Sequence, residues 1–546
     1  MASHFSAFGW SAICLLSFSV ASSVGAPSTA GQRGSGAALP PARINPTGFS
    51  LDAPHAPPHL GNLAASTPQP TPPASPLSFI APVYWSWGPI ISADGRFVAF
   101  ESSQANRDPG DTDWNIDVFV YDRLTGELTI VSRSRDGAPG GEFAEADSIS
   151  GDGRSIAFSS RASNLVPDDT NHEWDVFLYN RETRETTRAS VASDGRQGNG
   201  GSVGGALSAD GKLLAFSSWA TNFVGPDLNR QTDVFVRDLD TGYTALVSRA
   251  SDGTPGNDVS DQAAISSDGH VVAFTSASTN LVGGDTNGTA DVFVHDRSTG
   301  EVTRVSVASD GTQGNDRSSG PSLSADGRYA VFVSSATNFV SADTNRDSDV
   351  FVHDRLTGET TRVSVASDGE QANGGSESGS LSEDGRFVAF DSGAANLVAG
   401  DSNSISDEFV HDRQTGATVR ISFAADGNQA RIGSVWPSIS GDGRYIAFYS
   451  ADLGGVVVYD RYPDEPAAWL PTAMAPPTAT RTPTTTAFPE AGLATTAAPA
   501  ATPTELPPAT SASSPPSDLG RLPCGSALLL PLASLGIAWA ALRRRV

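Results

Sequence analysis

The sequence predicts an all-β fold, a β-propeller of seven four-stranded blades. Three observations carry that expectation. The tetrapeptide Ser-x-Asp-Gly recurs with its aspartate at Asp94, Asp152, Asp210, Asp268, Asp326, Asp384 and Asp442, and every interval is 58 residues. Each interval divides into short apolar or alternating runs, separated by Asp-Gly and Thr-Gly turns of the kind that join antiparallel strands. No interval carries a helical period. Four short strands with one apolar face are poorly suited to closing a core alone, so neighbouring copies must stack around a ring.

One unit gives the order of elements. Residues 321–324 form the first strand, and Asp326-Gly327 the tight turn in which glycine supplies a positive φ. Residues 328–334 are the second strand, 336–348 a loop, and 349–353 the third strand. Asp354-Arg-Leu-Thr-Gly358 turns the chain into a fourth strand at 359–365. First, second and third strands occur seven times; the third begins at Asp117, Asp175, Asp233, Asp291, Asp349, Asp407 and, shifted, Gly455. A fourth strand is clear only six times, the last at 417–423. The seventh blade therefore needs an outer strand from elsewhere. Leu77-Ser-Phe-Ile80 and Ala467-Ala-Trp-Leu470 are the two candidates, and the first is favoured because it ties both ends of the ring together.

The flanks have a different composition. Residues 1–26 hold an uncharged apolar stretch from Ala12 to Val20 followed by small-residue exits, the pattern of a secretory signal peptide. Residues 27–76 and 471–521, rich in Pro, Ala, Ser and Thr, cannot bury enough apolar surface to fold. They read as a linker and a stalk on either side of a propeller at 77–470. Residues 522–546 join Leu522-Pro-Cys-Gly525, an apolar run and Arg543-Arg-Arg545, which suits a membrane anchor with its arginines on the cytoplasmic side.

Charge narrows the partners. Lys and Arg number 35 against 61 Asp and Glu, a net charge of −26, which repels phosphate backbones and excludes nucleic acid. The same surface suits cations or basic partners. The only cysteines are Cys14 and Cys524, both outside the repeats, so there is no disulfide framework, zinc site or thiol chemistry.

Ser-x-Asp-Gly-Arg before an apolar strand ending in Ala-Phe, and then Asp-Val-Phe-Val-x-Asp-Arg-x-Thr-Gly, resembles the PD40 (WD40-like) repeats of TolB-like propellers, over about 85–462. The resemblance implies the propeller fold. Seven repeats rather than the six usual in that family, and no recognisable TolB N-terminal domain, keep the family's partners from being carried over. The C-terminal segment resembles sortase-type sorting signals, in which the cysteine is the processing site; that implies processing at Cys524-Gly525.

The best candidate for chemistry is the loop before the third strand. Six blades place oxygen-bearing side chains at relative positions 1, 3, 5 and 7. They are Asp111, Asp113, Asn115 and Asp117; Asp169, Asn171, Glu173 and Asp175; Asp227, Asn229, Gln231 and Asp233; Asp285, Asn287, Thr289 and Asp291; Asp343, Asn345, Asp347 and Asp349; and Asp401, Asn403 and Asp407, with Ile405 breaking the last set. This is the spacing that wraps a hard cation in calcium loops, so Ca2+ is the candidate cofactor, although no acid closes the loop at position 12. The alternative is that these residues make Asx-turns.

Other features point away from catalysis. The aspartates of Ser-x-Asp-Gly occur seven times and read as turn residues. His295, His353 and His411 share one repeat position on different blades, so they do not converge. Gly200-Gly-Ser-Val-Gly204 lacks the strand–turn–helix context of a nucleophile elbow. Trp85, Trp87, Trp114, Trp174, Trp219 and Trp436 break the repeat and suit either sugar stacking or packing between blades. The expectation is an exported, surface-anchored, monomeric propeller that binds a protein or glycan ligand and catalyses nothing. The alternative is an extracellular, lyase-like enzyme acting on polysaccharide, which requires a catalytic cluster facing the channel.

Overall fold

Each repeat folds as a four-stranded antiparallel sheet. The computed structural model describes residues 77–80, 86–103, 115–225, 229–403, 405–424, 426–465 and 467. The signal peptide, linker, stalk and Cys524-Gly525 segment lie outside the described residues, as do Trp85, Asp111, Asp113, Trp114, Asp227 and Trp469. Among the described residues no helix is long and apolar enough to cross a membrane.

Blade 1 comprises Ser86–Ile91, Phe97–Ser102, Asp117–Asp122 and Leu128–Ile130, hydrogen-bonded in that order. The pattern repeats to blade 6, which comprises Ser376–Leu381, Phe387–Ser392, Asp407–Asp412 and Ala417–Arg420. Blade 7 comprises Ser434–Ile439, Tyr445–Ser450 and Gly455–Asp460, and its outer strand is Leu77–Phe79. Leu77 pairs with Tyr459 and Ser78 with Val458, so the N-terminal segment closes the ring. The first strand of each blade contacts the first strand of the next in a complete circuit, and these seven strands surround the axis.

Two boundaries differ from the sequence pattern. The first strand of blade 5 runs Ser318–Leu323, starting before the expected 321, and a register shift falls between Ser319 and Ser322. A similar bulge interrupts the first strand of every blade. It breaks the alternation by which strands are read. The fourth strand of blade 5 stops at Arg362, and Val365 is bridged to Gln371 instead.

The core follows from two motif positions. Phenylalanines of the second and third strands are direct register partners and stack, as in Phe100 with Phe119 at 6.0 Å and Phe158 with Phe177 at 5.5 Å. Each fully buried ring contributes roughly 1.5–3 kcal/mol of transfer free energy.

The Ser-x-Asp-Gly turns hold the blades together at one end of the axis. Ser324 Oγ donates to Asp326 Oδ1 at 2.8 Å, and the same oxygen accepts the Arg328 N–H. Gly327 has φ 65°, and a Cβ there would lie 2.5 Å from the Val271 side chain of the previous blade. Gly95 stands in the same relation to Tyr445, which carries the contact across the closure. Six backbone hydrogen bonds step between blades here, from Gly151 to Ala209, Ala209 to Ser267, Asp268 to Ala325, Ala325 to Glu383, Glu383 to Gly441 and Gly441 to Ala93. These contacts form a belt of inter-blade bonds around this end. Glu383 stands where other blades carry Ala, Gly or Ser, and it accepts a hydrogen bond from Ser267 Oγ, two blades away, at 3.2 Å.

Candidate binding site at the channel mouth

The loops with the calcium-like spacing lie at the end of the axis opposite the belt, where the first strands begin. Their first and seventh carboxylates do come together, but around side chains of the same blade. In blade 5, Arg362 Nη1 stands 3.7 Å from Asp343 and 3.1 Å from Asp349. Gln371 Nε2 donates to both, at 2.9 and 3.1 Å. Arg188 with Gln197, Arg304 with Gln313 and Arg420 with Gln429 repeat the arrangement on Asp169 and Asp175, Asp285 and Asp291, and Asp401 and Asp407.

Position 3 is turned to another purpose. Asn345 Oδ1 accepts the Asp347 N–H, the Asx-turn, while its amide donates to the Ala372 carbonyl. Asn171 ties to Glu173 and Gly198, Asn229 to Gln231 and Gly256, Asn287 to Thr289 and Gly314, and Asn403 to Ile405 and Ala430 in the same way. Asn115 donates to Gly141. In these four clamped blades a guanidinium lies against the carboxylates, and the residues present do not fit a calcium shell. Blades 1 and 3 carry Ile130 and Pro139, and Leu246 and Pro255, at the Arg and Gln places. Both carry an arginine three residues after the first of these, Arg133 and Arg249. Asp117 and Asp233 are buried there, each accepting a serine hydroxyl.

The three histidines are structural. His353 Nδ1 pairs with Thr360 Oγ1 at 2.8 Å, His411 with Thr418 Oγ1 at 2.9 Å, and His295 with the Val247 carbonyl at 3.0 Å. Burial pushes the His411 imidazole down to about 4. Among the tryptophans, Trp174 packs edge-on against Phe143 at 5.7 Å. Trp219 packs behind Gly201 together with Trp174. The Trp436 ring lies 6.3 Å from that of Tyr449.

The mouth also gathers residues that sequence reasoning missed. At the second position of the first strand, blades 2, 4 and 6 carry Glu145, Asp261 and Glu377, all half-buried and all with carboxyls raised by burial. The next position holds Gln262, Ser378 and Trp436 at φ 52°, 56° and 62°, a region that L-residues rarely adopt. The bulges turn backbone N–H groups toward the preceding blade. Glu101 Oε1 accepts the Ala146 N–H at 3.0 Å, and Gln262 Oε1 accepts the Gly320 N–H at 3.0 Å. Asp147 accepts Ser159 Oγ at 2.6 Å, and the same hydroxyl accepts the Gly204 N–H at 3.2 Å. Burial pushes the Asp147 carboxyl up to about 7, and Glu101, with Glu145 and Asp147 beside it, well above the carboxylate range. Setting the seven first strands in columns would have exposed these positions: the belt column is Ser-x-Asp-Gly throughout, while the mouth columns change from blade to blade.

Fold and site together define a seven-bladed β-propeller with a variable mouth and a repeated belt. No family model matches the chain, and no curated protein matches it. Among solved structures it is similar to an oligogalacturonate lyase from Vibrio parahaemolyticus, at 14% identity and TM-score 0.42, over 69% of this chain and 89% of that one. It is similar to TolB from Acinetobacter baumannii at 15% identity and TM-score 0.34, over 69% and 79%. A third, the acylaminoacyl peptidase of Pyrococcus horikoshii, matches at 10% identity and TM-score 0.41, over 67% and 49%.

Proposed function

We propose that the chain is an exported, surface-anchored propeller that binds a positively charged protein or envelope ligand at its channel mouth and performs no catalysis. One observation carries this reading. Departures from the repeat concentrate at the bulged ends of the first strands: Glu145 and Trp87 lie on the contacting blades 2 and 1, Glu377 and Trp436 on the contacting blades 6 and 7, and Asp261 on blade 4. The belt keeps its motif seven times over. Carboxyls in a recessed site favour cationic groups, and an indole face adds cation–π attraction. Export and anchoring rest on residues 1–26 and 522–546.

The runner-up, an enzyme acting on polysaccharide, is favoured by one feature, the Asp147 carboxyl pushed up to about 7, which suits proton transfer near neutral pH. Its hydrogen bond from Ser159, which in turn holds the Gly204 N–H, favours a structural role. The test presents lysine-rich peptides and acidic polysaccharides to the purified full chain. Salt-sensitive binding of the peptide, weakened by Trp436→Ala, is expected, with no new chain ends in the polysaccharide. Depolymerisation abolished by Asp147→Asn would replace this reading with the enzyme.

A further inference from the structure

Blade 6 departs from the repeat along one row of its sheet. Glu377 is the register partner of Asp391, and Asp391 that of Glu408, so three carboxyls stand side by side on one face. The third place is valine in every other blade: Val118, Val176, Val234, Val292, Val350 and Val456. No other blade has more than one acid in this row. Glu408 is fully buried and Asp391 nearly so. Both carboxylate oxygens of Glu408, and Oδ1 of Asp391, have no hydrogen-bond partner among the described residues.

The surroundings supply oxygen but no positive charge. Ser406 Oγ donates to Asp391 Oδ2 at 3.3 Å, and the Ser378 hydroxyl and the Trp436 backbone N–H act on the Asp391 carboxyl against the effect of burial. The charged groups acting on the buried pair are acids: Glu377 on Asp391, and Asp391 and Asp407 on Glu408. The nearby arginine of the blade 6 clamp, Arg420, lies against Asp401 and Asp407. Six blades fill the buried place with valine, and four carboxylate pairs elsewhere hold an arginine. This row has neither.

We propose that the row is a binding site for one hard divalent cation of the calcium class, entered from the channel past Glu377. Asp391 and Glu408 supply the charge. Among the described residues no three acid groups stand around a single point, so Ser378 and Ser406 are the neighbouring neutral oxygens. A buried carboxylate without a partner is costly, and a cation offsets that cost. Calcium tolerates an irregular oxygen shell, whereas magnesium demands near-octahedral geometry. The proposal is independent of the ligand suggested for the mouth.

The experiment uses the full chain stripped with chelator. Melting curves are recorded in calcium, magnesium and ionic-strength-matched NaCl, and Tb3+ emission is followed on excitation of tryptophan, with Trp436 beside the row. The comparison is Glu408→Val, which restores the residue of the other blades, with Glu408→Gln as the isosteric second variant. A saturable, calcium-specific rise in Tm and sensitised Tb3+ emission are expected for the native chain and lost in both variants. An equal calcium rise in the variants would overturn the proposal. So would a rise matched by NaCl. Stabilisation on acidification alone, removed by Glu408→Val, would also overturn it and assign the row a proton instead.

Discussion

A single guanidinium decides what four of the six acidic loops are. The spacing that reads as a calcium loop is satisfied in four blades by an arginine of the fourth strand, a residue lying outside the loop in sequence. Arg362→Ala leaves Asp343 and Asp349 buried without their cation. Breaking one partner of a buried pair costs about 3–5 kcal/mol, so we expect a clear fall in unfolding free energy by denaturant titration. A change within experimental error would mean that the clamp is not the neutralising group.

Buried carboxyls also set a pH dependence whose sign follows from their direction. Asp147 is pushed up to about 7, by burial first. It keeps its proton in the folded chain at pH values where the unfolded chain has lost it. Stability is therefore highest below the unfolded pKa, near 4, and is lost as pH rises to the folded value, by about 1.4 kcal/mol per unit. Asp354 and Asp412 act oppositely: hydrogen bonds from Arg328 and Arg386 lower them, so their contribution fades only in stronger acid. Denaturant midpoints are expected to be higher at pH 5 than at pH 8, and Asp147→Asn should shrink that difference. An unchanged slope in the variant would mean that Asp147 is ionised in the folded protein.

At the scale of strands, regular spacing made the fold readable and irregular geometry hid the site. Asp-Gly and Thr-Gly turns mark hairpins because their glycines adopt positive φ, and the paired phenylalanines mark the sheet core. The missing seventh outer strand was visible as a gap after Arg461 and is filled by Leu77–Phe79. The bulge in each first strand was not visible, because it breaks the alternation by which a strand face is read. Glu145 and Asp261 therefore looked like ordinary polar strand residues. In the sequence Glu408 is a single polar substitution in a valine column, and its importance depends on cross-strand partners in other parts of the blade.

The closing strand gives the prediction at this scale. Leu77 packs against the core between blades 6 and 7, and Ile80 is buried in the core between blades 7 and 1. Deleting 77–80 removes both; burial of Ile80 alone is worth about 1.5–3 kcal/mol, and the partly buried Leu77 adds less. We expect a lower denaturant midpoint with the same blade content by circular dichroism. A shortened chain of unchanged stability would mean that the closing strand contributes little to holding the ring.

As a whole molecule the propeller divides its work between two ends. The belt carries the repeated motifs, the inter-blade hydrogen bonds and Glu383 reaching across from blade 6 to blade 4. The mouth carries the acids and tryptophans that differ from blade to blade. The ring should resist limited proteolysis as one core spanning about 77–467; two stable fragments would mean that the blades form separate units.

The central claim is that the acidic mouth is the binding end. It is tested most directly by titrating a lysine-rich peptide into the full chain and into the variant Glu145→Gln, Asp261→Asn, Glu377→Gln at low and moderate salt. The account predicts at least about a tenfold loss of affinity in the variant, equivalent to about 1.4 kcal/mol, together with a weaker dependence on salt. Equal affinity and equal salt dependence in the two proteins would contradict it.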